Sequence, residues 1–124
     1  MRTDQEKTKS YYVSDVLTDQ LCDCEDCKRY YKKVRAAYPE LAAWLEALGA
    51  DIEKPFELGL PIGPDETGKM EYTSCMYVLL GVCEPGFACS VGDMRIVETR
   101  HHPTVHVDSP HFVLDAGPIF LDEN

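Results

Sequence analysis

The spacing of apolar residues changes near the middle of this 124-residue chain, and the change limits the folds that it can adopt. Up to residue 50, apolar side chains recur every three or four positions, which is typical of the buried face of an α-helix. Beyond residue 55 they occur in short runs bounded by glycine and proline, which is typical of β-strands and turns. Helices followed by strands indicate an α+β fold with an antiparallel sheet, since parallel strands need long crossover connections between them.

Two helices are predicted in the first half of the chain. The first covers residues 25–38, where Cys27 and Val34 belong to one apolar face. The second covers residues 39–48, because proline suits a first helical turn and Gly49 suits the position after a helix. We expect the two helices to form an N-terminal helical hairpin that packs on one face of the sheet.

The second half predicts a small antiparallel sheet of three to five strands. Residues 70–82 form the strongest candidate, because this nearly continuous apolar run is rich in β-forming residues. Residues 84–92 contain Pro85-Gly86 and are expected to form a loop. The other predicted strands are a short edge strand near residues 58–62 and strands at 93–99, 104–107 and 111–121.

The two ends of the chain differ in their predicted order. Residues 1–10 are polar and charged and predict a flexible N-terminal tail. Residues 11–124 are expected to form a single α+β domain, since domains usually contain about 100–150 residues. Within it, residues 11–21 fit either a strand or a helix, and a helical turn is favoured.

The net charge of −10 narrows the classes of partner. Twelve Lys and Arg residues against 22 Asp and Glu residues give a field that repels DNA, RNA and anionic lipid, so neither nucleic acid nor membrane is expected as a partner. The chain has no apolar run of the ~18 residues that a membrane span needs and no recognisable secretion signal, so we expect a soluble, cytoplasmic protein. An acidic module that binds a basic protein, or a homo-oligomer, stays open.

A cluster of basic residues interrupts this acidity. Five of the twelve Lys and Arg residues lie within residues 28–35, on the first predicted helix. Basic side chains far along a helix complement the negative end of its dipole, so a solvated helix face explains them. The alternative is a surface for an anion or an acidic partner.

Cys22, Cys24 and Cys27 form a C-x-C-x-x-C motif at the start of the first predicted helix. In an extended segment residues i and i+2 point the same way, so the first two sulfurs face one point. The C-x-x-C step into the helix then brings the third sulfur round to meet them. Three converging thiolates suit a soft cation such as Zn²⁺, whereas an Fe–S cluster typically takes four.

The acidic residues of this motif favour a metal over a reactive thiol. Asp23, Glu25 and Asp26 place negative charge beside developing thiolates, and a divalent cation offsets that charge. We therefore predict a zinc site with a structural or regulatory role. The alternatives are a metal-dependent or thiol-redox enzyme that uses the same three cysteines, and plain free thiols.

The local motif is one ligand short, because zinc usually takes four. Cys83 and Cys89 flank the Pro85-Gly86 turn, and their expected loop position suits ligation, so both are included in the predicted site. Cys75 lies in the strongest predicted strand, where a free cysteine usually packs as a small apolar residue.

All four histidines lie within residues 101–111, with Asp108 among them. Imidazole and carboxylate suit zinc, iron or nickel, so these side chains offer a second metal site, the missing ligand or a general base. Exposed loop histidines are the favoured interpretation of the group, because no defined ligand spacing is present. The four candidates are His101, His102, His106 and His111.

Overall fold

The structure is a computed structural model that describes all residues, 1–124. It contains four helices and eight strands. The helices are α1 (Gln5–Tyr12), α2 (Asp15–Thr18), α3 (Glu25–Ala37) and α4 (Pro39–Ala47), and the strands are β1 (Arg2–Thr3), β2 (Glu57–Leu58), β3 (Lys69–Tyr72), β4 (Cys75–Val82), β5 (Ala88–Val91), β6 (Met94–Thr99), β7 (His111–Gly117) and β8 (Ile119–Asp122). None of the helices has both the length and the apolar character that crossing a membrane requires.

Six of the strands form one antiparallel sheet, which is larger than the predicted three to five strands. The order is β1-β4-β7-β6-β5, and β2 also pairs with β4. Because β7 occupies one edge of β4, the two short strands β1 and β2 share its other edge. A strand of two residues has no periodic pattern, which is why the sequence undercounts the sheet.

The predicted strand at 70–82 is two strands, because the chain bends at Ser74. Its first part, β3, pairs with β8, whereas its second part, β4, pairs with β7. One carboxylate holds the bend: Asp115 accepts the Ser74 hydroxyl at 2.8 Å and the Cys75 N–H at 3.0 Å. The partner strand divides at Pro118, so a two-stranded sheet curls away from the larger one.

Two predictions in the second half are wrong. Residues 88–91, predicted to lie in a loop, form β5 and pair with β6. Gly92-Asp93 connects the two strands as a two-residue hairpin turn, with Gly92 at a φ of +59°. Residues 104–107, predicted as a strand, have no ladder partner and lie in the connection between β6 and β7.

The helices α3 and α4 lie where the sequence predicts them, but the helical hairpin is not confirmed. A single residue, Tyr38, is both the C-cap of α3 and the N-cap of α4. Antiparallel helices are joined by a loop of about two to five residues. One residue is therefore too short to fold α4 back along α3, and the helices make separate contacts, α3 with β8 and α4 with β5.

Residues 1–10, for which the sequence predicts a flexible tail, have regular structure as β1 and most of α1. The Asp4 side chain caps α1, and the Asp4 N–H donates to the Leu80 carbonyl at 2.9 Å. Thr8 is fully buried, and its hydroxyl accepts the Leu80 N–H at 3.1 Å. A polar sequence hides this packing because most of its side chains are exposed, while the buried Thr8 hydroxyl and the Asp4 N–H bond to β4.

Two glycines allow the N-terminal segment to approach the rest of the chain. Gly49 has a φ of +93°, and a Cβ there would lie 2.4 Å from the Gln5 carbonyl oxygen. Gly81 has a φ of +142°, and a Cβ there would lie 2.1 Å from the Arg2 carbonyl oxygen. Both contacts are with backbone atoms, which cannot move aside as a flexible side chain can.

We expect Gly49→Ala and Gly81→Ala to lower the free energy of unfolding by more than the ~1–2 kcal/mol that a left-handed backbone costs an L-residue. The matched control is Gly68→Ala, since Gly68 has a φ of +80° but nothing within 4 Å of its Cβ position. Urea denaturation measures all three. Equal losses in the three variants would show that the N-terminal segment does not pack as described.

The core of 26 buried residues contains a pair of hydrogen-bonded tyrosines. Tyr77 is 1% exposed and Tyr30 0% exposed, and their hydroxyl oxygens are 2.6 Å apart. The Tyr77 hydroxyl also donates to the Ile52 carbonyl at 2.7 Å. Its single proton is used there, so Tyr30 is the donor of the tyrosine pair.

This order of donors makes the two hydroxyls unequal. Tyr77→Phe leaves the Ile52 carbonyl and the Tyr30 hydroxyl unpartnered, and each buried unsatisfied group costs about 1–3 kcal/mol. Tyr30→Phe removes the donor to the Tyr77 hydroxyl, but that hydroxyl still donates to the Ile52 carbonyl. We therefore expect the free energy of unfolding to fall by about 1 kcal/mol. Urea denaturation of both variants checks the order, which is contradicted if Tyr30→Phe is the more damaging change.

Candidate metal centre

The three cysteines of the motif lie where the chain enters α3. Cys24 is the N-cap residue, with an extended backbone at φ −70° and ψ 163°, and its sulfur accepts the Cys27 N–H at 3.4 Å. An oxygen of Ser, Thr, Asp or Asn usually accepts this hydrogen bond at a helix start. Here a thiol caps the helix, and this contact holds the sulfur of Cys24 over the first turn.

The sulfur atoms of Cys22, Cys24 and Cys27 all lie within 4.8 Å of one another, so the predicted convergence is confirmed. Zinc–thiolate bonds of about 2.3 Å place tetrahedral sulfurs about 3.8 Å apart, so closure on an ion would shorten each sulfur–sulfur distance by about 1 Å at most. Cys22 and Cys24 are exposed and Cys27 is half-buried, so an ion reaches the cluster directly from solvent.

The helix start makes the thiols unequal. The pKa of Cys24 is lowered from its ordinary value, chiefly because the Cys27 N–H donates to its sulfur, and then because the Cys22 and Cys27 thiols hydrogen-bond to it. The pKa of Cys27 is raised to about 12, chiefly by burial and then by the neighbouring thiolates. Cys24 therefore ionises at a lower pH than Cys27.

Two tyrosines fix the backbone on either side of the cluster. The Tyr31 hydroxyl donates to the Cys22 carbonyl at 2.8 Å, and the Tyr72 hydroxyl donates to the Asp26 carbonyl at 2.6 Å. Tyr31 lies one helical turn beyond Cys27, and Tyr72 ends β3. Neither tyrosine is among the site residues that the sequence predicts. The one sequence feature that points to such a role is the i+4 spacing of Tyr31 from Cys27, which places the two side chains on the same face of α3.

The acidic residues of the motif are not equivalent. Asp26 pairs with the Arg29 guanidinium at 2.8 Å, and Arg29 also donates to the Glu123 carbonyl at 3.1 Å. Asp23 and Glu25 are exposed. Each is adjacent in sequence to Cys24, so both add negative charge beside the thiols.

The other cysteines lie apart from the cluster. Cys83 follows β4 and its thiol contacts the Glu84 carbonyl at 3.5 Å, while Cys89 lies within β5 opposite Ile96. Neither sulfur is among the ligand atoms brought together at the start of α3. Cys75 is fully buried, as predicted, and burial raises the pKa of its thiol to about 12.

The four histidines also lie outside the cluster, and they form no second group of three ligands with Cys, Asp or Glu. His101 and His106 are exposed. The Nδ1 atoms of His102 and His111 lie 2.7 and 3.0 Å from backbone carbonyl oxygens, to which each donates. His101, His102 and His106 lie in the connection between β6 and β7, whereas His111 is the first residue of β7.

The chain matches no protein-family model, no curated protein and no solved structure. The site is therefore interpreted from its own residues.

The lowered pKa of Cys24 predicts an order of thiol reactivity. Alkylation requires the thiolate, so a lower pKa raises the reactive fraction at every pH below that pKa. The pKa of Cys83 is raised by burial and by the Glu84 charge, so its alkylation midpoint lies at higher pH. We expect iodoacetamide to label Cys24 of the reduced, metal-free protein before Cys83 between pH 6 and pH 8.

Peptide mass spectrometry measures the labelling rates of the two cysteines as a function of pH. A Cys24 midpoint at or above that of Cys83 would contradict the hydrogen bond from the Cys27 N–H.

Proposed function

We propose that the protein binds a soft metal ion through Cys22, Cys24 and Cys27, with zinc as the ion, in a structural or regulatory rather than a catalytic role. One observation carries the proposal: three sulfur ligands lie within 4.8 Å of one another. Thiolates are preferred ligands of zinc, and three of them supply most of its tetrahedral shell.

The surrounding charge supports a cation at this position. Asp23 and Glu25 are exposed beside the thiols. Thiolates formed there are opposed by these carboxylates, and two positive charges on one ion offset part of that repulsion. Metal-free, the same residues favour protonated thiols, so metal affinity should fall at low pH as protons compete for the sulfurs.

The ion would act by joining two segments. Cys22 and Cys24 lie in the connection from α2, whereas Cys27 lies in the first turn of α3. An ion shared by these residues restrains the entry to α3, which in turn contacts β8. Metal affinity then contributes to the stability of the folded chain, because the unfolded chain holds no preformed site.

We expect about one zinc per chain in protein purified under reducing conditions without chelator. Cys22→Ser, Cys24→Ser and Cys27→Ser should each abolish stoichiometric binding. At a free zinc concentration 100-fold above Kd, binding stabilises the parent by about 2.7 kcal/mol, and the variants lose that increment. Elemental mass spectrometry measures the metal, and thermal unfolding with and without zinc measures the increment.

Cys83→Ser and Cys89→Ser are the matched controls, since both residues are half-buried cysteines outside the cluster. Loss of zinc in either control would show that a distant cysteine supplies the fourth ligand. The proposal fails if the parent binds no metal, or if the three cluster variants keep it.

Dithiol redox chemistry is the second candidate, because Cys24 and Cys27 form a C-x-x-C pair at a helix start. The exposed Cys24 sulfur accepts an N–H hydrogen bond, while Cys27 is half-buried behind it. The Cys24 thiolate would attack a small-molecule disulfide and release one thiolate. Cys27, losing its proton, would then attack the Cys24 sulfur and release the second, which completes an intramolecular disulfide.

A thiol–disulfide buffer separates the two candidates. If the redox candidate holds, the metal-free protein accumulates a Cys24–Cys27 disulfide under mildly oxidising buffer, as peptide mapping would show. Mixed disulfides that never close to this pair argue against it. If both functions operate, added zinc slows the oxidation.

A further inference from the structure

We infer that the Cys22, Cys24 and Cys27 cluster selects a thiophilic metalloid that binds three sulfurs and needs no fourth protein ligand, of the class of trivalent arsenic. The inference rests on the proposed function, because it uses the same three thiols. It goes further by naming a class of ion for which these three thiols form a complete ligand set.

The number of ligands in the cluster favours trivalent arsenic over zinc. The cluster contains three sulfur atoms, and no histidine, carboxylate or fourth cysteine joins them. Asp26 lies between Cys24 and Cys27 in the sequence, but its carboxylate is paired with the Arg29 guanidinium at 2.8 Å. Zinc bound here would complete its shell with solvent, whereas trivalent arsenic makes three bonds and fills its fourth direction with a lone pair.

The direction from which the ligands approach also favours trivalent arsenic. All three sulfurs come from one six-residue segment, so they approach an ion from one side. Cys22 and Cys24 are exposed, so the opposite side of the ion faces solvent. A trigonal pyramid, with three sulfurs at its base and a lone pair at its apex, matches this one-sided arrangement.

The net charge of the bound centre favours trivalent arsenic as well. Three thiolates around a divalent cation carry a net charge of −1, and this centre would lie beside the exposed Asp23 and Glu25 in a chain of net charge −10. Three thiolates around trivalent arsenic are neutral. The zinc ion therefore offsets only part of the repulsion among the thiolates, Asp23 and Glu25, whereas the arsenic centre carries no net charge for these carboxylates to repel.

The binding reaction balances without an oxidant or a base. Arsenous acid, As(OH)₃, is neutral at pH 7. Each thiol transfers its proton to one hydroxide, which leaves as water, and an As–S bond replaces the As–O bond. Three thiols and one As(OH)₃ give one As(S-Cys)₃ centre and three waters, while arsenic stays trivalent and sulfur stays at the thiol level.

The test titrates the reduced full-length protein with sodium arsenite in a phosphine reductant, which does not compete as a thiol. We expect one arsenic per chain by intact mass, loss of three of the six titratable thiols, and release of bound zinc to a chromogenic chelator. Cys22→Ser, Cys24→Ser and Cys27→Ser should each weaken arsenite binding at least tenfold, since two thiols remain. Cys89→Ser should bind as the parent does.

The outcomes separate this inference from the proposed function. Zinc binding that arsenite does not displace overturns the inference and leaves the proposed function intact. Arsenite bound through two thiols, or through any of Cys75, Cys83 and Cys89, also overturns it. Arsenite bound through the three cluster thiols without any zinc binding supports the inference and removes zinc from the proposed function. Binding of neither ion refutes both.

Discussion

The antiparallel pairing of β4 with β7 is the interaction on which the other elements depend. Six residues of β4 pair with β7, and five of the eight residues of β4 and four of the seven residues of β7 are buried. β6 and β5 extend the sheet from β7, while β1, β2 and α1 attach to the opposite edge of β4. Every helix except the short α2 then makes a contact with a strand of one or other sheet.

The cysteine cluster is positioned by a chain of contacts that begins at this strand pair. Asp115 of β7 holds the bend at Ser74, and the bend directs β3 and β8 away from the large sheet. Tyr72 at the end of β3 binds the Asp26 carbonyl, and α3 lies against β8, where Lys33 donates to the Asp122 carbonyl at 2.9 Å. The start of α3, and the thiols on it, are therefore fixed from the sheet.

Local features could be predicted from the sequence and distant ones could not. The bounds of α3 and α4 follow from apolar spacing. The three sulfurs converge because side chains i and i+2 of an extended segment point the same way, and the start of α3 brings side chain i+5 round to them. The hydrogen bond between Thr8 and Leu80 joins residues 72 positions apart and has no local signal. The bend at Ser74 depends in the same way on a carboxylate 41 residues later.

The same limit explains the ligand assignment. The composition of the segment around Cys83 and Cys89 predicts a loop, and on that ground both cysteines belong to the predicted site. The hairpin at Gly92-Asp93 places Cys89 in a ladder instead, with its backbone paired to Ile96. Cys83 and Cys89 lie about 60 residues beyond the cluster in the sequence. Whether they reach it depends on the order of the strands, which is set by long-range pairing rather than by composition.

The attachment of α1 to β4 has a consequence for self-association. An exposed strand edge is a template on which another chain can add a strand. β1 and β2 cover the two ends of the outer edge of β4, and between them Tyr12 donates to the Val78 carbonyl while Thr8 accepts the Leu80 N–H. Side chains of a helix thus close the longest strand to polymerisation, and β5, with four residues, is the longest edge strand that the large sheet leaves.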